Sequence, residues 1–191
     1  MMTRDKAQGL LAKHGQGAVW TKHCLAVADS ASRLGLILDG RQSIDHDFLW
    51  AAALLHDIGR CITHDPIGHG VEGYKLLMSL GHEREAYACA SHILFGLEAS
   101  EAVQFGLPAR DFIPRTIEER LVTLVDLLLE NDVPTTLDRR FSSLRERNAE
   151  NGFFLSRLER ARERAEVFML QFNEEIGGSV EDILASQKRC S

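Results

Sequence analysis

The sequence predicts an all-α protein, and three observations lead to that fold class. Its periodic apolar residues recur at helical spacing, no segment alternates as a strand does, and helix-capping residues precede several of the apolar stripes. With 191 residues, 45% of them hydrophobic, the chain is long enough to form one domain with a substantial core. Helix packing is then the way to bury the apolar stripes.

The first elements follow from stripes and caps. Within residues 19–38, one helical face carries Val27, Ala31, Leu34 and Leu38. Asp45 is predicted to cap a helix that begins near His46, continues through FLWAAALLHD and ends at Gly59. A loop follows, because Pro66 prevents an earlier continuation of the helix.

Further helices are predicted downstream, at about residues 69–80, 83–95 and 99–105, and from a Thr116–Glu119 capping box through LVTLVDLLLE. Residues 106–114 form a loop with two prolines, and Pro134 ends the region. The remaining chain is more charged and carries one long stripe, formed by Phe154, Leu158, Ala161, Ala165, Phe168 and Phe172. Ser179 is expected to cap a last short helix.

Charge and composition limit the partners. The formal net charge of −6 argues against a broad nucleic-acid surface or an anionic-membrane surface, although it is compatible with a small anionic ligand. The four cysteines have no CxxC spacing, no apolar run approaches transmembrane length, and the N-terminus lacks the apolar core of a signal peptide. We therefore expect a cytoplasmic protein without a membrane partner.

Polar residues on apolar helix faces are the main functional signal. They are His23, His56, Asp57, His69, His92 and Asp126. One buried histidine is usually satisfied by the backbone, but a buried aspartate is rare unless it is paired. Six such residues on the inward faces of five helices share one explanation, which is that they bind metal. Imidazole and carboxylate ligands suit one or two divalent ions such as Mn, Fe, Co, Ni or Zn.

The other histidines have weaker signals. His14, His46 and His82 lie near helix ends or turns and are expected to be solvated. His64 lies in the loop after His56-Asp57, where it could face either the site or water, and the sequence assigns it no role.

The order of these ligands resembles that of a known superfamily. His23, then His56-Asp57, then Asp126 follow the H…HD…D order of the HD superfamily of metal-dependent phosphohydrolases, and LLHDIGR is similar to its LLHDIGK-type segment. His69 in HGVEGYKLLMSLG and His92 in SHILFGL resemble the extra histidines of HD subfamilies that hold two metals. The likeness is greatest to small, generically described HD-domain proteins of archaea and bacteria.

The resemblance covers about residues 19–130 and implies an orthogonal multi-helix bundle of the HD-domain, phosphodiesterase-like type. We accordingly expect an HD domain at residues 1–134, with a C-terminal helical extension, residues 135–191, packed on the same domain. The resemblance further implies an enzyme that hydrolyses a phosphomonoester, phosphodiester or phosphoanhydride in a small phosphorylated, nucleotide-type substrate. Asp57 and His56 would be its catalytic residues.

The resemblance does not carry a substrate over to this chain. Many single-metal HD nucleotidases have an HDxxE glutamate, where this chain has Arg60, and the GYP segment of the HD-GYP phosphodiesterases is missing. The HD hydrolases of dinucleoside polyphosphates are closer in their histidine pattern. We expect Arg60 to bind substrate, because guanidinium matches phosphate oxygens, although an arginine at a helix C-terminus is also favoured on the surface.

Two other functions remain open. The protein could be a non-catalytic HD module that binds metal or nucleotide as a sensor or regulator. It could also be an interaction protein in which the Phe154–Phe172 stripe pairs with a second copy, although we favour packing of that stripe on the HD core. A homodimer is compatible with either function. Arg110 and Arg115 flank the proline-rich loop and are interpreted as solvated rather than as covering a substrate.

Overall fold

The computed structural model of the chain describes residues 2–186. Its helices are α1 (Arg4–Gly15), α2 (Trp20–Leu38), α3 (His46–Leu55), α4 (Gly68–Ser79), α5 (Glu83–Ser91), α6 (Ala99–Gln104), α7 (Ile117–Leu127), α8 (Leu137–Arg147), α9 (Gly152–Ile176) and α10 (Val180–Ala185). It also contains two 3-10 turns, Ile58–Cys61 and Ile93–Phe95, and the short antiparallel strands β1 (Leu129–Glu130) and β2 (Val133–Pro134). The predicted all-α fold class is confirmed.

The core lies where α2 and α7 pack against α3, and where α4 packs against α5. The predicted stripe of α2 is fully buried there, and the apolar residues of α3 are buried on every side. All three predicted caps are present: the Asp45 side chain accepts from Phe48 N at 3.0 Å, Thr116 Oγ1 accepts from Glu119 N at 3.3 Å, and Ser179 Oγ accepts from Asp182 N at 3.2 Å, where it caps α10. The first two matter for the centre of the fold. These caps fix where α3 and α7 begin, and therefore how far each helix reaches toward the centre of the fold.

The sequence suggested that Gly59 ends a helix, but the structure shows that it does not. α3 already stops at Leu55, and Gly59 lies inside the 3-10 turn that follows. A Cβ atom added to Gly59 would lie 1.9 Å from His69 O and 2.4 Å from Gly73 N. The residue is glycine because the backbone of α4 packs directly against it, so its role is one of packing.

The two other predicted helices that end at the centre are also shorter than expected. The segment 83–95 ends as a helix at Ser91 and continues as a 3-10 turn, in which Leu94 has a φ of 49°. α7 ends at Leu127, and β1 and β2 then turn back through Asn131, which has a φ of 61°. Two-residue strands produce no readable alternation, so the sequence did not reveal this hairpin.

The C-terminal residues form α8, α9 and α10, of which α8 was not expected from the sequence. All six residues of the predicted α9 stripe are buried, and α9 packs against α7 and the 3-10 turn Ile93–Phe95. The stripe is therefore covered by its own chain, as favoured above, and is not the exposed surface that pairing with a second copy requires. Among the helices of residues 2–186, none combines the length and apolarity that crossing a membrane requires.

Candidate metal centre

The six predicted ligands converge at the inner ends of five helices. α2 contributes His23, α4 contributes His69 and α7 contributes Asp126, while His56-Asp57 follow α3 and His92 follows α5. Two groups among them have ligand atoms close enough to share an ion, namely His23, His56 and Asp126, and also His56, Asp57 and His92. Residues more than 100 positions apart in the sequence thus meet at one place, as for His23 and Asp126.

Distances between ligand atoms divide the cluster into two halves. In the first half, Asp126 Oδ1 lies 2.9 Å from His23 Nε2 and 3.6 Å from His56 Nε2. In the second half, Asp57 Oδ1 lies 3.0 Å from His69 Nε2 and 3.7 Å from His92 Nε2. The other oxygen of Asp57, Oδ2, is 3.8 Å from His56 Nε2. The Asp57 carboxylate therefore lies between the two halves.

All four histidines of the cluster point the same ring nitrogen at a main-chain carbonyl. His56 Nδ1 donates to Ala53 O at 2.7 Å, His69 Nδ1 to Asp65 O at 2.8 Å, His92 Nδ1 to Cys89 O at 2.7 Å, and His23 Nδ1 to Asn131 O. These bonds assign the proton to Nδ1 and leave each Nε2 lone pair facing the cluster. Metal-binding histidines have this arrangement, because the second hydrogen bond fixes both tautomer and ring orientation.

The protein groups of the cluster do not satisfy one another's lone pairs and charges. His69 Nε2 and His92 Nε2 lie 3.1 Å apart, so two lone pairs face each other when both rings carry their proton on Nδ1. His56 Nε2 and Asp57 Oδ1 are buried and have no well-directed hydrogen-bond partner within residues 2–186. Such groups are costly to bury, and a cation between them would satisfy all of them. Four imidazoles and two carboxylates suit a first-row divalent metal.

The ionisation states of the two carboxylates and of His92 also suit metal binding. Burial raises the pKa of Asp57, but His56, His69 and Arg60 outweigh it and hold that pKa well below its ordinary value. Burial likewise raises the pKa of Asp126, and the neighbouring histidines outweigh it, so that this pKa is also well below its ordinary value. The pKa of His92 is lowered to about 3, first by burial and then by the charges of two neighbouring histidines. At neutral pH the centre therefore offers ionised carboxylates and a neutral His92, which are the metal-binding forms.

Arg60 lies beside the cluster, as the sequence suggested. Its Nε donates to Asp57 Oδ2, so one oxygen of this carboxylate is held while the other, Oδ1, is left facing the histidines. Arg60 also lines the cavity next to the cluster, where its side chain is about three-tenths exposed. The arginine can thus position Asp57 and still face a ligand in the cavity.

A cavity of about 740 Å³ opens onto the cluster. It is lined by His23, Asp57, His69, His92 and Asp126 on one side, and by residues of α8 and α9 on the other, namely Arg140, Phe141, Leu144, Arg147, Phe154, Leu158 and Ala161. The sequence did not predict that α8 and α9 form a wall of this cavity. Arg140, Leu144 and Arg147 occur at helical spacing, which indicates a shared helix face but not what that face contacts.

The remaining candidate residues divide between the cavity and other sites. The exposed His64 lines the cavity, whereas Arg110 and Arg115 lie over the ring of Tyr87, at 5.6 and 4.8 Å. The expectation that His82 is solvated was wrong, because its side chain is buried at the start of α5. His14 and His46 are partly buried, and His46 Nε2 lies 2.8 Å from Asp39 Oδ1.

Comparisons with known proteins agree with this geometry. The family model described as HD domain matches residues 20–130. An uncharacterized protein of Methanocaldococcus jannaschii is 40% identical over 110 residues, which cover 56% of this chain and 64% of that protein. A Thermoplasma volcanium protein named tRNA (cytidine(56)-2'-O)-methyltransferase is 32% identical over 143 residues, covering 74% of this chain and 41% of its own.

A protein of the same name from Picrophilus torridus is 37% identical over 89 residues, covering 46% of this chain and 26% of its own. The chain thus spans less than two thirds of the length of each of these three relatives. No solved structure gives a significant match.

Proposed function

This chain belongs to the HD domain family, and from that premise we propose that it is a metal-dependent phosphohydrolase acting on a small phosphorylated substrate. One observation carries the proposal: four buried or nearly buried histidines turn their Nε2 lone pairs toward one cluster with two carboxylates, and all of these residues except His56 line one cavity. HD domains bind divalent metals, and the His/Asp groups of this chain are able to hold one. The family and the donor set support the same chemistry.

We propose one ion in each half of the cluster. An imidazole Nε2 has a single lone pair, so His56 serves only one ion even though it belongs to both ligand groups. His23, His56 and Asp126 would hold the first ion, and Asp57, His69 and His92 the second. The Asp57 carboxylate lies between the halves, which suits it to contact both ions. The proposed ions are Mn, Fe, Co, Ni or Zn.

The bound metal supplies a water nucleophile at neutral pH and neutralises charge on the phosphoryl oxygens. The residues of the chain do the rest. The Nδ1–H bonds to backbone carbonyls hold the imidazoles in the binding tautomer, and Arg60 fixes one oxygen of Asp57. We propose Asp57 and His56 as catalytic residues because they would hold the metal that supplies the nucleophile, and Arg60 as a phosphate-binding residue because it lines the cavity beside Asp57.

The alternative is an HD module that binds metal or a phosphorylated ligand as a sensor without turnover. It uses the same residues and differs only in the absence of a reaction. The methyltransferase activity in the names of two relatives belongs to proteins that this chain matches over 41% and 26% of their length. A formal net charge of −6 gives no support to tRNA binding by this chain.

A substrate panel tests the proposal. Protein loaded separately with Mn, Fe, Co, Ni or Zn is assayed on phosphomonoesters, phosphodiesters, nucleotides and dinucleoside polyphosphates. We expect turnover with at least one metal, and we expect Asp57→Ala to abolish it. Asp29→Ala serves as a control, because Asp29 is an exposed aspartate of α2 that does not line the cavity. Metal binding without turnover on any substrate would favour the sensor.

A further inference from the structure

The far wall of the cavity comes from α8 and α9, which lie outside the part of the chain matched by the family model. On α8, Arg140, Leu144 and Arg147 share one helical face, and all three line the cavity. Two guanidinium groups thus face the same space as the metal-binding cluster. They come from a segment to which no function has so far been assigned.

These two arginines have more donors than their protein partners satisfy, which are the Glu130 carboxylate and, for Arg147 Nε, Ser143 O at 3.4 Å. Glu130 Oε1 lies 3.1 Å from Arg147 Nη2 and 3.8 Å from Arg140 Nη1, and it also accepts from Ser143 Oγ at 2.6 Å. One carboxylate is therefore shared by two guanidinium groups. Within residues 2–186, the buried Nε of Arg140 has no hydrogen-bond partner. A buried donor without an acceptor indicates that a further acceptor is needed.

The charge balance of the cavity also favours a second anion. Its basic lining residues are Lys22, Arg60, Arg140 and Arg147, and its acidic ones are Asp57, Asp126 and Asp132. Two of these carboxylates, those of Asp57 and Asp126, belong to the proposed metal-binding cluster, where the metal would balance their negative charge. Burial lowers the pKa of Arg147, the positive charge of Arg140 lowers it further, Glu130 raises it, and Arg60 lowers it again. Glu130 thus offsets only part of the repulsion among these arginines, and a second anion beside them would reduce the rest.

The space next to the arginines is apolar. It is lined by Phe141, Leu144, Phe154, Leu158 and Ala161 from α8 and α9, and by Trp20, Ile93, Leu94 and Leu127 from the rest of the fold. A cavity of this size with an apolar wall and few charged groups is typical of a site for a small organic ligand. The ligand chemistry that fits is an organic group attached to more than one phosphoryl group.

We infer that Arg140 and Arg147 are specificity-determining residues that bind a second phosphoryl group of the substrate, beyond the one held at the metal-binding cluster. The protein then selects organic diphosphates and polyphosphates over monophosphates. This inference rests on the proposed function for its first phosphoryl position. The binding of the second phosphoryl group can be measured without turnover.

The test uses Arg140→Gln and Arg147→Gln, with Arg139→Gln as the matched control. Arg139 lies on the same helix but is exposed and does not line the cavity. The metal-loaded full chain is titrated calorimetrically with the non-hydrolysable phosphonate analogue of AMP and with the non-hydrolysable methylene analogue of ADP. Inorganic phosphate and methylenediphosphonate form a second pair of probes, which has no nucleoside.

We expect the wild type to bind the diphosphate of each pair at least about tenfold more tightly than the monophosphate, as one or two charge-assisted hydrogen bonds predict. Each cavity variant should lose most of that ratio, and Arg139→Gln should keep it. If hydrolysis occurs, the variants should lose more kcat/KM on ADP or ATP than on AMP.

The outcomes separate the two proposals. If no phosphate ester is hydrolysed but the diphosphate preference is present and depends on both arginines, the proposed function fails and the inference holds. If the wild type binds both members of each pair equally, the inference is overturned. The same conclusion follows if the cavity variants behave like Arg139→Gln. Arg147 is about half exposed, so Arg147→Gln alone decides the question should Arg140→Gln fail to fold.

Discussion

Two of the buried carboxylates of this protein, those of Glu101 and Asp57, have different surroundings. Glu101, between α6 and α9, accepts from Arg157 and Arg160 with Oε1 and from the backbone N–H of Glu98 with Oε2. Asp57, at the cavity, has Arg60 on Oδ2, whereas Oδ1 has no well-directed donor within residues 2–186. The first carboxylate is satisfied by the protein and holds two helices together. The second needs something that the protein does not supply, which is the physical signature of a binding site.

The largest expected effect is a difference in metal affinity between variants of two buried histidines. His92 belongs to the metal-binding cluster, whereas His82 is buried outside it. We expect His92→Ala to weaken metal affinity by about 100-fold or more, since removing even an indirect partner of a metal ligand costs about 10–100-fold. His82→Ala should leave metal affinity within a few-fold of the wild type. Competition with a chromogenic chelator measures both, and equal losses would contradict the assignment.

The next effect concerns the close approach that brings α4 to the cluster. Gly59→Ala forces a Cβ atom against His69 O and Gly73 N, both of which are backbone atoms. We expect the free energy of unfolding to fall by about 3 kcal/mol, with weaker metal binding because His69 must move. Gly9→Ala, on the open side of α1, should instead stabilise by about 0.5–1 kcal/mol. Urea denaturation measures both variants, and a harmless Gly59→Ala would refute this packing role.

A smaller effect is expected at the satisfied carboxylate. Glu101→Gln removes the charge that pairs with Arg157 and Arg160, and we expect a loss of about 1–2 kcal/mol in the free energy of unfolding. Metal affinity should not change, because this network lies between α6 and α9. The contrast with His92→Ala is the point of the experiment. A Glu101→Gln variant with normal stability and reduced metal content would contradict the assignment of Glu101 to stability rather than to metal binding.

The smallest effect is the pH dependence of the same network. Burial raises the pKa of Glu101, but the Glu98 N–H, Arg160 and Arg157 outweigh it, so that the pKa lies below its ordinary value. The stabilisation is thus fully present above the ordinary glutamate pKa of about 4.3 and is lost as the pH falls through the folded-state pKa. The stability difference between wild type and Glu101→Gln should shrink between pH 6 and pH 3. A difference that stays constant over that range would contradict the pKa assignment.

The proposed metal-binding cluster could be predicted from the sequence because polar residues on apolar helix faces are costly and therefore informative. Packing alone gives no reason for the side chains of His56, Asp57 and Asp126 to lie inward. Binding of a metal is the simplest explanation for all three. The Glu101 network had no comparable signal, since Arg157 and Arg160 lie 56 and 59 residues away in a charged segment. Surface charges are common, so those that pair with a buried partner do not stand out.

The ends of the helices were the least predictable part of the fold. Gly59 was expected to end a helix, and only the backbone of α4 against it reveals its packing role. The β1–β2 hairpin was too short to leave a periodic pattern. Arg140 and Arg147 occur at helical spacing, but which cavity they face is decided by how α8 packs. In each case tertiary contacts determine the outcome.

Metal analysis of the purified full chain determines whether the six-residue cluster binds metal. Protein prepared without chelator, and protein reconstituted with Mn, Fe, Co, Ni or Zn, is analysed by elemental mass spectrometry beside Asp57→Ala and Glu101→Gln. We expect two equivalents of a divalent metal per chain in the wild type and in Glu101→Gln, one for each half of the cluster, with a clear loss in Asp57→Ala. A wild-type protein that binds none of these metals after reconstitution would contradict the assignment of the cluster as a metal centre.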